Sequence, residues 1–407
     1  MAICVDEVIK EISSITSIEK YEILPIENCL GRICAQEIIA KYNLPKFNNS
    51  AMDGYAINYN DSKNELENID TILAGDDNHT LLKKNTCIKI MTGARIPENA
   101  NAVIPKENTE LTRSNTIKIN TEVKEQQHIR FIGEDIKEGQ KLIEPNENIN
   151  FSKITLLASQ GISHIKVYKK PKIVIFSSGE ELKLHYEKIE DHQIYNSNTP
   201  TFIARVKELG CKVEFIGQAK DSIKSLKKLI LNSLDADLII TSGGVSVGDA
   251  DLTREAFNEL DFKTIFDGII IKPGKPTVFG QINNTYILNL PGNPLASSLI
   301  FELFGKTIIQ KLKSSKDIFQ NVIETKINHD LYNKKGRVTL LPGYFDGRSF
   351  EVAQKRSPGM VSTLSGCNSF IALDENTQNL KKDTKIKILP INWEFLTDEK
   401  KDFLTHE

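Results

Sequence analysis

The stretch Thr241-Ser242-Gly243-Gly244-Val245-Ser246-Val247-Gly248-Asp249-Ala250-Asp251 follows the apolar run Ala236 to Ile240, and a helix is expected from near Leu252. A short apolar run that breaks into paired glycines ahead of a helix is a strand-to-helix turn. The same rhythm repeats on both sides of it. Lys172 to Phe176 is a short apolar run ending in Ser177-Ser178-Gly179. Asn198-Thr199-Pro200 reads as a helix start, a polar cap followed by a proline whose missing N–H costs nothing in the first turn. Phe202, Ile203, Val206 and Leu209 form that helix's buried face, and Gly210 ends it. Val213 to Ile216 is the next strand and Ile223 to Leu234 the next helix. Further on, Leu290-Pro291-Gly292-Asn293-Pro294 opens a helix from Leu295 to about Lys311. Strands and helices in alternation require a mostly parallel sheet covered by helices, here over residues 171–315.

The flanks read differently. Val5, Val8, Ile9, Ile12 and Ile15 recur at helical spacing, so one amphipathic helix should lay its apolar stripe on a later segment. Short extended pieces follow up to Pro45. Between Leu66 and Ile129, runs such as Cys87-Ile88-Lys89-Ile90-Met91 and Thr116-Ile117-Lys118-Ile119-Asn120 alternate apolar with polar, the period of half-buried strands. A β-rich inserted domain is therefore expected over 46–129. The chain from Arg130 to about Val167 should return to the first layer, giving a linking N-terminal domain of residues 1–45 and 130–170. Val338 to Leu341, Ser369 to Leu373 and Lys385 to Leu389 suggest a C-terminal β-barrel domain over 316–407. The expected class is α/β plus β in a multidomain chain.

Composition narrows the function. At 407 residues the chain is too long for one ordinary core. A net charge of -2 gives no support for nucleic acid, whose backbone selects a basic excess. No apolar stretch approaches bilayer length. The start Met1-Ala2-Ile3-Cys4-Val5-Asp6-Glu7 lacks the basic opening and long apolar run of a signal peptide, so a cytoplasmic protein is expected. The six cysteines form no Cys-x-x-Cys pair and the histidines show no ligand spacing beside them. Reduced, mostly buried thiols are expected rather than a zinc or redox site.

In an open parallel sheet, ligands bind beyond the carboxyl ends of the strands. Three loops fall there: Ser177 to Glu181, Thr241 to Asp251 and Leu290 to Pro294. Paired glycines let several backbone N–H groups point at one anion. The helix opened by Asn293-Pro294 should offer free N–H groups and a positive dipole end to phosphate. Lys272 and Lys275, around Pro273-Gly274, add mobile positive charge. Neither a Walker A loop nor a Gly-x-Gly-x-x-Gly fingerprint is present. Each feature also has an ordinary structural use. Gly243-Gly244 can be a tight connection, Asn293 and Asp251 helix caps, Glu180 and Glu181 solvated acids, and the two lysines surface charges. Their co-occurrence at one end of one sheet favours a phosphate-bearing ligand. Carboxylates can then hold Mg²⁺, which neutralises phosphate charge and polarises phosphorus; Asp251, Glu181, Asp221 and Asp53 are the candidates.

Pro45-Lys46-Phe47-Asn48-Asn49-Ser50-Ala51-Met52-Asp53-Gly54-Tyr55-Ala56 resembles the signature of MoeA proteins and of the E domain of gephyrin. Met91-Thr92-Gly93-Ala94, Gly133-Glu134-Asp135, Ser178-Gly179-Glu180-Glu181-Leu182, the stretch Ile239 to Asp251, Lys272-Pro273-Gly274-Lys275-Pro276 and Leu290 to Pro294 match the same family in order. The resemblance implies an elongated homodimer of four domains per chain. It also implies a molybdopterin molybdenumtransferase: Mg²⁺-dependent hydrolysis of adenylylated molybdopterin, insertion of molybdenum from molybdate into the dithiolene, and release of AMP. Contact with the molybdopterin adenylyltransferase, which makes the pterin nucleotide, belongs to the same picture. Asp53, Asp221, Asp251 and Glu181 match family acids tied to activity, the last three as metal ligands, and Lys272 and Lys275 join the catalytic set. Thr92, Arg130, Asp135, Pro291 and Pro294 match cleft positions. Ser178, Gly179, Ser242, Gly243, Gly244, Ser246, Gly248, Gly292 and Asn293 fall in the matching loops that would hold the pterin nucleotide. Asp53 and Thr92 would reach the site across the dimer interface.

The chain also departs from that pattern. Asn48 stands where the family usually has aspartate. Gly268 lies where some relatives carry lysine, and Phe131 and Ile132 where relatives often have arginine. The C-terminal part, with Gly336-Arg337 and Ser362, matches loosely and receives no catalytic residue. An adenylyltransferase of related fold needs only the α/β unit, so the extra domains argue against it. A gephyrin-like scaffold has no need of converging acids and lysines.

Overall fold

The runs Lys172–Ser178 and Leu238–Ser242 are apolar along nearly their whole length, so each strand can bury both faces. The computed structural model, which describes residues 2–77, 79–113, 115–220, 222–243 and 252–392, places them at the centre of a six-stranded sheet. Lys212–Ala219, Lys172–Ser178, Leu238–Ser242 and Thr285–Leu290 run parallel, in that order. The antiparallel strands Val278–Ile282 and Lys263–Asp267 complete it. Alternation along one strand sends Ile173 and Ile175 into an apolar cluster with Phe202, Phe304 and Ile308. It sends Val174 and Phe176 into a second cluster with Leu226, Ile230 and Phe257. Helices Asn198–Glu208 and Pro294–Ile300 cover the first face; Ile223–Leu231 and Leu252–Asn258 cover the second. The helix entered at Pro294 continues through a π turn, Phe301–Gly305, into Lys306–Leu312.

The first helix, Val5–Ser14, joins the first face of this sheet. Its start is set by the Cys4 N–H donating to the Glu7 carboxylate at 2.8 Å, an acid placed where the helix dipole favours it. Val8 and Ile12 are fully buried, and burying a side chain such as Ile12 stabilises by about 1.5–3 kcal/mol. Ile3 forms a parallel bridge with Ile269, and the Ile18 N–H donates to the Leu312 carbonyl at 3.1 Å. The later segment that receives the apolar stripe thus lies about 260–300 residues further along the chain.

Residues 141–168 return against residues 21–39. His164–Tyr168 pairs antiparallel with Tyr21–Pro25, and Lys141–Ile143 with Ile38–Ile39. A second six-stranded sheet has the order Ala102–Pro105, Gly54–Ile57, Thr86–Ile90, Leu66–Ile72, Thr116–Ile119, Thr109–Arg113. Its central strand Thr86–Ile90 is not half-buried as its alternation suggested. Ile88 and Ile90 pack on one face while Cys87 packs with Ile57 and Ile104 on the other. Small apolar clusters on both faces account for the difference. Near the C-terminus, Val338–Phe345, Ser349–Val352, Ile323–Ile327, Lys385–Pro390 and Ser369–Leu373 close into a barrel, because the first strand also pairs with the last. Ile271–Lys272 adds to this barrel in parallel with Val338-Thr339.

Cys29, Cys34, Cys87 and Cys211 are buried and all six thiols are free. Among the described residues no group of three or more His, Cys, Asp or Glu is placed to hold a metal ion, and no helix is long and apolar enough to cross a membrane.

Candidate active site

The carboxyl edge of the α/β sheet is built from close backbone approaches. Strand Lys172–Ser178 ends at Gly179, whose φ of 143° suits glycine. A Cβ there would stand 2.7 Å from the Glu181 carboxylate, so Glu181 folds back over the bend. Gln218, from the neighbouring strand, donates its amide to the Gly179 and Leu182 carbonyls at 2.9 Å each and fixes the loop. Strand Leu238–Ser242 ends at Gly243, with φ 93°, where a Cβ would sit 2.5 Å from the Ser178 carbonyl oxygen. The Gly243 N–H donates to the Leu290 carbonyl at 3.2 Å, and a Cβ on Gly292 would lie 3.6 Å from the Gly243 Cα. Ser178, Gly179, Glu181, Ser242, Gly243, Pro291 and Gly292 therefore converge on one edge. Asp221, Gly244, Ser246, Gly248 and Asp251 lie outside the described residues.

Side chains from the Asn198–Glu208 helix complete this edge. Asn198 donates its amide to the Gly292 carbonyl at 2.8 Å. Buried Asn196 donates to the Ser177 and Thr199 hydroxyls at 2.8 and 3.0 Å and accepts the Thr199 N–H at 3.1 Å. Sequence reasoning saw only a helix start at Asn198-Thr199-Pro200. The clustering of polar residues from Asn196 onward, too many for one cap, was the available signal.

The helix start at Asn293-Pro294 differs from expectation. Its first free N–H groups are not left for an anion. Leu295 and Ala296 both donate to the Pro358 carbonyl, at 2.9 and 3.3 Å, from a loop of the C-terminal barrel. The Asn293 side chain makes no capping hydrogen bond, so its ordinary use as a cap does not hold either. A Cβ on Gly359 would be 3.6 Å from the Asn293 side-chain oxygen, which places the barrel loop directly over this bend.

The lysine turn meets the same helix from its other end. At Gly274, φ 114°, an added Cβ would collide with Ile300, the last residue of Pro294–Ile300. The rise from Asn293 to Ile300 is about 10 Å, so the lysine turn and the glycine bends lie within roughly that distance along one helix. Thr277 donates its hydroxyl to the Gly274 carbonyl at 2.7 Å and the Ile269 N–H donates to the Lys275 carbonyl at 2.9 Å. Lys272 and Lys275 are exposed, and neither has an ion-pair partner among the described residues. Gly268 has a physical reason for its departure: a Cβ there would be 3.2 Å from that of Ala2, because the N-terminal segment covers it.

Asp53 and Thr92 pair with each other away from this edge, and Arg130 and Asp135 lie on other segments of the N-terminal region. The Thr92 N–H and hydroxyl both donate to one Asp53 carboxylate oxygen at 2.7 Å. These two bonds, the backbone one foremost, hold the Asp53 carboxyl below the usual aspartate range. Ile129–Arg130 pairs with Asn49–Ser50, and the Asp135 N–H donates to the Leu44 carbonyl at 3.0 Å. Asn48 accepts the Ile132 N–H at 2.8 Å, so its amide positions the loop after Arg130. Among the described residues, no hydrogen bond or ion pair joins these four to the glycine-rich edge.

Three family models match the chain in order: the MoeA N-terminal region (domain I and II) over residues 3–161, a probable molybdopterin binding domain over 174–311, and the MoeA C-terminal region (domain IV) over 325–391. The chain belongs to the MoeA family. A molybdopterin molybdenumtransferase of Haemophilus influenzae is 33% identical over 380 residues, covering 91% of this chain and 94% of the relative. One from Staphylococcus epidermidis is 31% identical over 370 residues, covering 85% and 88%. A crystallised molybdopterin biosynthesis MoeA protein from Pyrococcus horikosii is 27% identical, with TM-score 0.81 over 97% of this chain and 100% of that one. The glycine-rich edge and the lysine turn fall in the molybdopterin-binding region of the MoeA pattern. Asp53 and Thr92 fall in its N-terminal region, and the loop that caps Leu295 in its C-terminal region.

Proposed function

We propose that this MoeA-family chain is a molybdopterin molybdenumtransferase. It takes adenylylated molybdopterin and molybdate, hydrolyses the phosphoanhydride, inserts molybdenum into the dithiolene and releases AMP. The observation that carries this reading is the convergence of Ser178, Gly179, Glu181, Gly243 and Gly292 on one sheet edge, with the Lys272–Lys275 turn packed against the far end of the helix that begins there.

The glycine bends let a flat pterin and its phosphates approach the backbone, where any side chain would collide. Lys272 and Lys275 supply positive charge to the phosphate oxygens. Glu181 is exposed and, among the described residues, has no cationic partner, which suits a carboxylate that meets a cation only with substrate present. Mg²⁺ characteristically takes one or two carboxylates together with substrate phosphates, so Glu181 fits one such ligand position, with Asp221 and Asp251 as the other candidates. When bound, the ion would neutralise phosphate charge and polarise phosphorus.

Asp53 and Thr92 are proposed to enter this site from a second copy of the chain, since within one chain they form their own group. The protein would then act as a homodimer in the cytoplasm, receiving the pterin nucleotide from the adenylyltransferase that forms it. The deciding experiment incubates purified protein with adenylylated molybdopterin, molybdate and Mg²⁺ and follows AMP. AMP release above the no-protein background is expected; release at background removes the proposed reaction.

A further inference from the structure

The Pro358 carbonyl occupies the Leu295 and Ala296 N–H groups, so the helix start cannot neutralise an oxyanion there. Gly268, which leads into the lysine turn, is itself covered by Ala2 and brings no charge. A site that takes a molybdate dianion and a pterin nucleotide still needs that charge balanced. The loop that blocks the helix start brings its own cations. Lys355 and Arg356 directly precede Ser357-Pro358-Gly359.

Several bonds hold this loop in place. The Ala353 N–H donates to the Pro342 carbonyl at 2.9 Å, continuing the pairing of Ser349–Val352 with Val338–Phe345. Buried Thr363 donates its hydroxyl to the Lys355 carbonyl at 2.7 Å, and the Met360 N–H donates to the Ser357 carbonyl at 2.9 Å. Two residues of chain span at most about 7 Å, so the Arg356 backbone lies within that distance of a carbonyl seated on the crevice helix. Lys355 and Arg356 are exposed, and neither has a carboxylate partner among the described residues; Arg356 donates to the Ala353 carbonyl at 3.3 Å. Thr339, which pairs with Lys272, and Pro342, which anchors the loop, are three residues apart on one strand. The attachment points of the lysine turn and of the Lys355 loop therefore lie roughly 10 Å apart on one barrel strand.

We propose that Lys355 and Arg356 form a second oxyanion-binding pair of the active site, recognising a tetrahedral dianion or phosphate in place of the helix start. This rests on the reaction proposed above. The source of the oxyanion is either molybdate or the phosphate of the nucleotide, and binding measurements separate them.

The test uses full-length protein and the variants Lys355→Gln/Arg356→Gln and Arg356→Lys, titrated calorimetrically with sodium molybdate alone and with AMP alone. The double variant is expected to lose about tenfold in affinity for one probe, the scale of a lost charge-assisted contact. Starting from Arg356 alone, the lysine variant should keep most of the affinity because charge is retained. Loss confined to molybdate assigns the pair to the metal oxyanion, and loss confined to AMP assigns it to the nucleotide phosphate. Affinities unchanged for both probes, or no binding of either by the wild type, overturn the proposal. An unchanged thermal midpoint checks that these exposed substitutions leave the fold intact. Calorimetry reads binding without turnover, so failure of the AMP-release assay would sink the proposed reaction while leaving this result legible.

Discussion

The glycine-rich edge of the α/β sheet and the Asp53–Thr92 group are built on opposite principles. The edge is closed by backbone against backbone: Gly243 against Ser178, Gly292 against Gly243, with Gln218, Asn196 and Asn198 donating into the bends. Asp53 is exposed and held by two bonds from one threonine, and among the described residues no hydrogen bond connects it to the edge. A surface whose geometry is fixed by sterics can bind by itself. An exposed carboxylate, pre-positioned by its own chain and without an ion-pair partner among the described residues, fits the proposal that it completes a site in a second copy.

Gly243→Ala is the sharpest way to break the first half. The residue has φ 93° and its Cβ would stand 2.5 Å from a backbone oxygen that cannot swing away. The left-handed conformation and the collision together should cost about 2–4 kcal/mol of stability, read as a fall in the denaturation midpoint. The matching change Gly31→Ala, also at positive φ but with open space around its Cβ, should cost only the conformational part, about 1–2 kcal/mol. Equal losses at the two glycines would show that conformation alone, and not the close approach, sets the edge.

The second half is broken by Asp53→Ala, which should leave stability unchanged because the side chain is exposed, yet lower AMP release by about a hundredfold. Glu181→Gln should be similarly inactive. If the two groups meet across a dimer interface, co-refolding both inactive proteins should restore about a quarter of wild-type activity, since half the dimers are mixed and each carries one intact site. Activity that stays at the level of either variant would place both groups in one chain's site, or in none.

Much of this contrast was legible in the residues and part of it was not. Strand and helix order over 171–315 follows from local apolar periodicity, which needs only neighbours in sequence. The glycine bends followed from chain chemistry at strand ends. The placement of Val8 and Ile12 in the α/β core was not readable, because their partners, such as Leu312, lie some three hundred residues away and any apolar groove would satisfy the stripe. The capture of the Leu295 and Ala296 N–H groups by Pro358 was invisible for the same reason. A carbonyl acceptor is common to every residue, so nothing in the sequence marks the one that will arrive. Gly268 read as a lost contact, whereas the fold shows a position closed by Ala2.

The smallest expected effect separates the two halves by proton chemistry. Among the described groups at the two sites, Asp53 has its acidity set by local hydrogen bonds: the Thr92 N–H and hydroxyl favour its charged form and lower its pKa. The sign follows from linkage. The bonding contribution is present above the ordinary aspartate pKa and fades as pH falls through the depressed folded value, where the carboxylate protonates and the Thr92 donors lose their charged acceptor. Thr92→Val removes the hydroxyl and leaves the backbone donor, which is the larger of the two causes. The Asp53 carboxyl should therefore titrate at a somewhat higher pH in the variant without reaching the ordinary aspartate range, as followed by carbon-detected NMR. Because the carboxylate is exposed, global stability should hardly move. A titration identical to wild type would mean that the hydroxyl contributes nothing, leaving Thr92 to position Asp53 through its backbone alone.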